Sequence, residues 1–279
     1  MKLYFAFLIV LMFSTLQACS NSGTGPDKKT ESEKWLLTWQ DEFNDSQIDM
    51  SKWTYDTGGH GFGNNEWQYY TNRSQNSFID DTCLVIEARR ESFEGSDYTS
   101  ARLKTQSLAQ WQYGKFEIRA KLPQGQGIWP AIWMLGSNIS TVGWPACGEI
   151  DIMEMIGGSG RENTVHGTIH WKSENDEHAQ FGSPFALSSG RFSDKFYTYA
   201  IEWSDQKIEW FINGIKYLEA DITPAALSEF HHGFFMILNV AVGGNWPGYP
   251  DGTTVFPQRM YVDYVRVYKL NPDYTGDSE

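Results

Sequence analysis

Cysteine is scarce. The 279 residues contain three, at positions 19, 83 and 147, too few for a disulfide framework. Basic residues are also under-represented. There are 22 Lys and Arg against 35 Asp and Glu, a formal charge of −13. Such a chain lacks the positive surface that a phosphate backbone requires, which excludes nucleic acid as a partner. Long hydrophobic runs are missing too. The run Leu3–Phe13 has 11 residues, well short of the ~20 that a membrane-spanning helix needs. Neither a His-Glu-x-x-His motif nor a cysteine cluster marks a catalytic metal. Few stretches show helical spacing, and Pro224–Glu229 reads as one short turn.

Aromatic side chains are abundant, with 12 Trp, 14 Tyr and 17 Phe. Rings suit pleated sheets and also stack on apolar ligand faces. A hydrophobic content of 41% supplies a core and excludes a disordered chain. Periodic structure runs from Trp35 to about Leu270 with no linker or repeat. Its segments are short, β-branched and aromatic, with turn residues between them. Thr82–Ala88, Tyr113–Leu122 and Met260–Tyr268 are examples. In the second, Phe116, Ile118, Ala120 and Leu122 share one face. In the third, strict alternation puts Tyr261, Asp263 and Val265 on one face and Val262, Tyr264 and Arg266 on the other. Many strands in one unit predict an all-β, two-sheet sandwich over residues 35–270.

The N-terminus reads as an address. Lys2, the short apolar run and the small residues after it describe a secretory signal over residues 1–18. Leu16-Gln17-Ala18-Cys19 resembles a bacterial lipobox, which implies lipidation of Cys19. The other reading is an ordinary signal cut near Ala18. Both export the protein. A lipidated Cys19 would hold it at a membrane by acyl chains alone, in the periplasm or at the outer cell surface. Residues 19–34, with Gly23, Gly25 and Pro26, read as a flexible tether, and 271–279 as a short tail.

The most informative segment is Gly148-Glu149-Ile150-Asp151-Ile152-Met153-Glu154-Met155-Ile156. Glu149 and Asp151 are two apart and share a strand face, while Ile150 and Ile152 face the core. Strict alternation would then bury Glu154. A β-bulge at Ile152–Met153 restores its parity and lines Glu149, Asp151 and Glu154 on one face. Crowded carboxyls raise one another's pKa, so one stays protonated while another ionises. Retaining glycoside hydrolysis uses such a pair about 5–5.5 Å apart. Four flat strand steps of ~3.3 Å would separate Glu149 and Glu154 by about 13 Å at Cα, so the strand is expected to curve concavely. A solvated polar face or a calcium site are the competing readings. Trp129, Trp133, Trp144 and Trp171 crowd the segment and weigh against the first. Calcium sites usually draw on loop carbonyls, which weighs against the second.

Glu149-Ile150-Asp151-Ile152-Met153-Glu154 resembles the E-x-D-x-x-E signature of glycoside hydrolase family 16, in the bulged form of its laminarinases, agarases and carrageenases. Further similar motifs are Trp39–Phe43, Asn64–Tyr70, Gly127–Leu135, His166–Trp171, Leu238–Gly248 and Val262–Tyr268. The ordered set is similar to the laminarinase-like subgroup, endo-acting on β-1,3-glucans. The resemblance implies a concanavalin-like β-jelly roll with a concave cleft. It implies Glu149 as nucleophile, Asp151 as its orienting partner and Glu154 as general acid/base, with no cofactor for catalysis.

Trp129 and Trp133 are four apart and share a strand face. That face points to the cleft by family analogy, and core packing is the other reading. Trp144 and the loop residue Trp246 are candidate sugar platforms. Asn65, Glu66 and Arg102 are candidate partners of sugar hydroxyls, against a turn residue and an ion pair. His170 is expected to bond a sugar or Glu154. Family members often hold a structural calcium, whose oxygens here would come from a carbonyl near Glu42, the Asp81-Thr82 turn and the Asp263 carboxylate. Cys83 and Cys147 are either a pair, if their Cα atoms come within about 7 Å, or two buried thiols.

The expected function is therefore retaining endo-hydrolysis of β-1,3-glucan, extending to mixed β-1,3/1,4-glucan, by a monomer whose partner is the polysaccharide. The alternatives are an agarase- or carrageenase-type galactan hydrolase and a non-catalytic surface glycan-binding protein. The acidic balance weighs against sulfated galactans. The crowded carboxylates weigh against a binder, which has no need of them.

Overall fold

The computed structural model describes residues 31–275. Its strands in chain order are β1 (Trp35–Asp41), β2 (Thr54–Asp56), β3 (Gln68–Tyr70), β4 (Ser77–Asp80), β5 (Cys83–Phe93), β6 (Ser96–Ser100), β7 (Arg102–Lys104), β8 (Gly114–Lys121) and β9 (Ile128–Gly136). They continue as β10 (Glu149–Glu154), β11 (Thr164–Lys172), β12 (His178–Ala186), β13 (Tyr197–Trp203), β14 (Lys207–Ile212), β15 (Ile215–Asp221), β16 (Phe234–Val242) and β17 (Gln258–Leu270). One sheet of ten strands runs β15-β14-β13-β8-β17-β5-β6-β3, with β1 on β17 and β4 on β5. The other, of seven, runs β12-β11-β10-β9-β16-β7-β2. The two sheets of this jelly-roll sandwich enclose one continuous core.

Alternation builds that core. Phe116, Ile118 and Ala120 of β8 point inward, as do Ile128, Ile132 and Met134 of β9. Trp203 and Trp210 enter from the ten-stranded sheet and are fully buried. Strand β16 is buried along its whole length. Its second face joins Leu135 and Cys147 in a small apolar cluster beneath Trp133.

Strand β10 carries the expected bulge. Its pairing with β9 slips between Asp151 and Met153, so Ile152 is the extra residue. Ile150, Ile152, Met153 and Met155 are all buried, and Glu149 and Glu154 both reach the opposite face. Tertiary packing holds the bulge in place. Trp210 of β14 donates its indole N–H to the Asp151 carbonyl at 2.8 Å, across the core. Gly148, just before the strand, has φ 75°, and a Cβ there would lie 2.9 Å from Phe234 and 3.0 Å from Glu229. That left-handed, crowded position suits glycine alone.

Strict alternation fails in β17. Its pairing with β8 slips between Val262 and Tyr264, so Met260, Val262, Val265 and Val267 are all buried. Asp263 and Tyr264 both stay on the outer side. The last four residues of the expected tether form a helical turn, Glu31–Lys34. Lys34 bonds Glu202 at 2.7 Å, and the Asn271 amide bonds the Lys34 carbonyl at 2.8 Å. The short turn expected near Pro224 is a 3-10 segment, Ala225–His231. Cys83 and Cys147 are separate buried thiols.

Replacing Trp210 by Phe keeps the ring and removes the donor to the bulge. A buried carbonyl left unpaired costs about 1–3 kcal/mol. Urea unfolding of Trp210→Phe should show a loss of that size with an unchanged m-value.

Candidate active site

The seven-stranded sheet brings three carboxyls together. Glu149 stands opposite His170 of β11, Asp151 opposite Thr168, and Glu154 opposite His166. Glu149 and Glu154 are half-buried, and Asp151 is 1% exposed. Trp144 donates its indole N–H to Glu149 Oε2 at 2.7 Å, and Trp129 donates to Glu154 Oε1 at 3.0 Å. Asp151 and Glu149 share a hydrogen bond. His170 Nε2 lies 3.0 Å from Asp151 Oδ2. The contact is close but poorly aligned, which leaves Oδ2 without a well-directed donor. His170 thus meets Asp151, rather than the expected Glu154.

Burial raises the pKa of all three carboxyls, because removal from water penalises the charged form. The neighbouring Asp151 charge raises Glu149 further, while His170 and the Trp144 donor oppose the rise. Glu154 is pushed well above the usual carboxyl range by burial, then by the Asp151 and Glu149 charges. Glu149 is pushed up to about 8 and Asp151 to about 7, so Asp151 ionises before Glu149, and Glu154, with two acidic neighbours, stays protonated near neutral pH. The site therefore offers a carboxylate and a carboxylic acid side by side near neutral pH.

One flank is aromatic. Trp129 and Trp133 are both half-buried on the carboxyl face of β9. Trp246 is 40% exposed and meets Trp129 edge-on at 5.6 Å between centroids. Trp144 is 49% exposed. A chain of hydrogen bonds fixes Trp133. Its indole donates to Asn239 Oδ1 at 2.7 Å, Asn239 donates to the Tyr70 hydroxyl at 3.0 Å, and Tyr70 donates to Glu66 Oε2 at 3.1 Å. Gln68 also donates to Glu66, at 2.6 Å, and accepts from the Val242 amide. Glu66 is thereby buried, and burial raises its pKa. Arg102 lies 4.7 Å over the Trp133 ring and 3.0 Å from Asp56. Asn65 is held to Asn245 at 2.9 Å. Asn65, Glu66, Arg102, Trp133 and Asn239 thus cluster at one side of the carboxyls.

Several site residues escaped sequence reasoning. His166 stacks edge-on with Trp246 at 5.0 Å and lies beside Glu154. Its spacing of four from His170 put it on the same strand face, so the signal was present. Asn239, Tyr70, Trp210 and His178 carried no local signal, because their roles depend on cross-strand or cross-sheet partners.

Glu149, Asp151 and His170 bring ligand-type atoms within 4.8 Å of one another. A cation there would occupy the Glu149 and Asp151 carboxyls, whose raised pKa values follow from burial and mutual repulsion. At the expected calcium position, Glu42 makes a bidentate pair with Arg266 at 2.7 and 2.8 Å, and Arg119 takes Asp263 Oδ2. The Glu42 carboxylate is thereby committed to Arg266. The adjoining Asp81 and Thr82 both have positive φ, 45° and 64°.

A β-sandwich with ionised and protonated carboxyls on a tryptophan-lined sheet is the arrangement of a carbohydrate-cleaving enzyme. Comparison with known proteins agrees. Residues 63–266 match Glycosyl hydrolases family 16, and the chain belongs to that family. It is 44% identical over 272 residues to a β-glucanase of Rhodothermus marinus, covering 92% of this chain and 93% of that one. It is 38% identical over 256 residues to a glucan endo-1,3-β-glucosidase of Cryptopygus antarcticus, covering 85% and 93%. The catalytic domain of an endo-1,3-β-glucanase (laminarinase) from Thermotoga petrophila superposes with a TM-score of 0.78 at 49% identity, covering 85% of this chain and 99% of that domain. Some curated relatives are longer, and the chain spans about a third of those.

Asp151 holds the proton on Glu154 through its charge, so removing that charge has a definite sign. Asp151→Asn should make Glu154 ionise at lower pH than in the unaltered protein. Carbon-13 NMR titration of labelled glutamate carboxyls would read the change directly.

Proposed function

We propose that the protein is a retaining endo-hydrolase of β-1,3-glucan that also accepts mixed β-1,3/1,4-glucan. One observation carries the reading. The β10 bulge puts Glu149, Asp151 and Glu154 on one face, with Glu154 the last to lose its proton. In the first step Glu149 attacks the anomeric carbon and the glycosidic C–O bond breaks. Glu154 gives its proton to the leaving oxygen, leaving a glycosyl ester on Glu149. In the second step Glu154, now a carboxylate, takes a proton from water. The water oxygen attacks the same carbon and frees Glu149 with net retention. Asp151 hydrogen-bonds Glu149 and orients it.

Trp129, Trp133, Trp144 and Trp246 offer flat apolar faces to pyranose rings. Arg102 and Asn65 offer donors to sugar hydroxyls, while both nitrogens of His170 face other side chains. The buried Glu66 acts through the hydrogen-bond chain that fixes Trp133. The names of similar proteins, a β-glucanase, a glucan endo-1,3-β-glucosidase and an endo-1,3-β-glucanase, support glucan over galactan.

The same proposal includes export by residues 1–18 and lipid anchoring at Cys19, which lie outside the described residues. It also includes a monomeric enzyme held at a membrane only by that anchor. A structural calcium at Asp263 and the Glu42 and Asp81-Thr82 carbonyls completes it, with no part in the chemistry. Chelation by EGTA would then lower Tm while leaving the pH profile unchanged.

Reducing-sugar release from laminarin, lichenan, agarose and carrageenan tests the central reading, using the soluble chain from Ser20 onward. Laminarin should be cleaved, and Glu149→Ser should lower kcat roughly 10³-fold or more. Cleavage of a galactan alone would overturn the substrate and keep the mechanism. Tight glucan binding without cleavage would favour a binding protein.

A further inference from the structure

His178 lies on the edge strand β12, outside every motif singled out in the sequence. It sits diagonally across the β11–β12 hairpin from His170, because His170 pairs with Gln180 and Lys172 pairs with His178. Diagonal neighbours on one sheet face are within reach of long side chains. His178 Nε2 lies 2.8 Å from His170 Nδ1, with the two rings stacked at 5.1 Å between centroids and 28° between planes. The His178 ring also packs against Trp144 at 4.7 Å. Trp144 donates to Glu149, and His170 faces Asp151. One exposed side chain therefore backs the partners of both carboxyls.

A neutral imidazole has one N–H, and the partner of one nitrogen decides the role of the other. If His170 carried its proton on Nδ1, the Nε2 lone pair would face Asp151 Oδ2, an acceptor that is buried and lacks a well-directed donor. Donation from His178 Nε2–H into His170 Nδ1 removes that arrangement and puts the His170 proton on Nε2. An N–H rather than a lone pair then faces Asp151 Oδ2, which supports negative charge on the group that orients Glu149.

We propose that His178 is a positioning residue for the reaction. By donating to His170 Nδ1 it selects the Nε2–H tautomer, so that an N–H rather than a lone pair faces Asp151 Oδ2. The inference rests on Glu149 as nucleophile, but its first readout needs no substrate. Nitrogen-15 NMR of the imidazoles should find His170 as the Nε2–H tautomer in the unaltered protein. In His178→Phe, which keeps a ring for Trp144 and removes the donor, the Nδ1–H form should appear. Laminarin hydrolysis by that variant should lose roughly tenfold in kcat with KM nearly unchanged. His178→Gln restores an N–H donor and should recover most of kcat and the Nε2–H tautomer. An Nδ1–H tautomer in the unaltered protein would overturn the inference, whether or not laminarin is cleaved. Equal kcat losses in the Phe and Gln variants, or a rise in KM alone, would also overturn it.

Discussion

The structure turns on one hydrogen bond across the core, from the Trp210 indole to the Asp151 carbonyl at 2.8 Å. A bulge leaves a strand residue out of register, and its backbone needs a partner from elsewhere. Trp210 supplies that partner from the opposite sheet. With the bulge fixed, Ile150, Ile152 and Met153 all reach the core while Glu149, Asp151 and Glu154 share the other face. Without it, a two-residue period would place Glu154 among the core side chains. Packing and carboxyl geometry are thus one problem with one solution.

The electrostatics follow from that placement. Three carboxyls on a partly buried face cannot all ionise, because each lost proton raises the cost of losing the next. The fold grades the three by their contacts. Each outer carboxyl has an indole donor, but Glu154 feels the charges of both Asp151 and Glu149, whereas Glu149 feels that of Asp151. The order of proton loss that double displacement needs is therefore set by position on the strand. Aromatic side chains serve twice at this site. Trp129 and Trp144 hydrogen-bond the two outer carboxyls while leaving ring faces beside them.

Support for the site extends well past the carboxyl strand. The chain from Trp133 through Asn239, Tyr70 and Glu66 to Gln68 ties β9, β16 and β3 together. Buried polar groups are stable only when satisfied, so each member of that chain holds its neighbours in one rotamer. The His178–His170–Asp151 contacts do the same on the other flank, from β12 through β11 to β10. The carboxyls are braced from both sides.

Much of this was legible in the sequence. Period-two patterning revealed the sandwich and the faces of β8 and β9. The parity break at Ile152–Met153 revealed the bulge, because an acid could not follow the alternation inward. The spacing of Glu149, Asp151 and Glu154 revealed which carboxyls share one face. What remained hidden depended on contacts between distant segments. The β17 bulge at Asp263 was not visible because its register is set by pairing with β8. The partner of His170 was misassigned because strand register, not spacing, decides which carboxyl it faces. Trp210 and His178 looked like any core tryptophan and any loop histidine. Local pattern fixes which way a side chain points along its own strand. Only the stacking of sheets and the alignment of hairpins decides what it meets there.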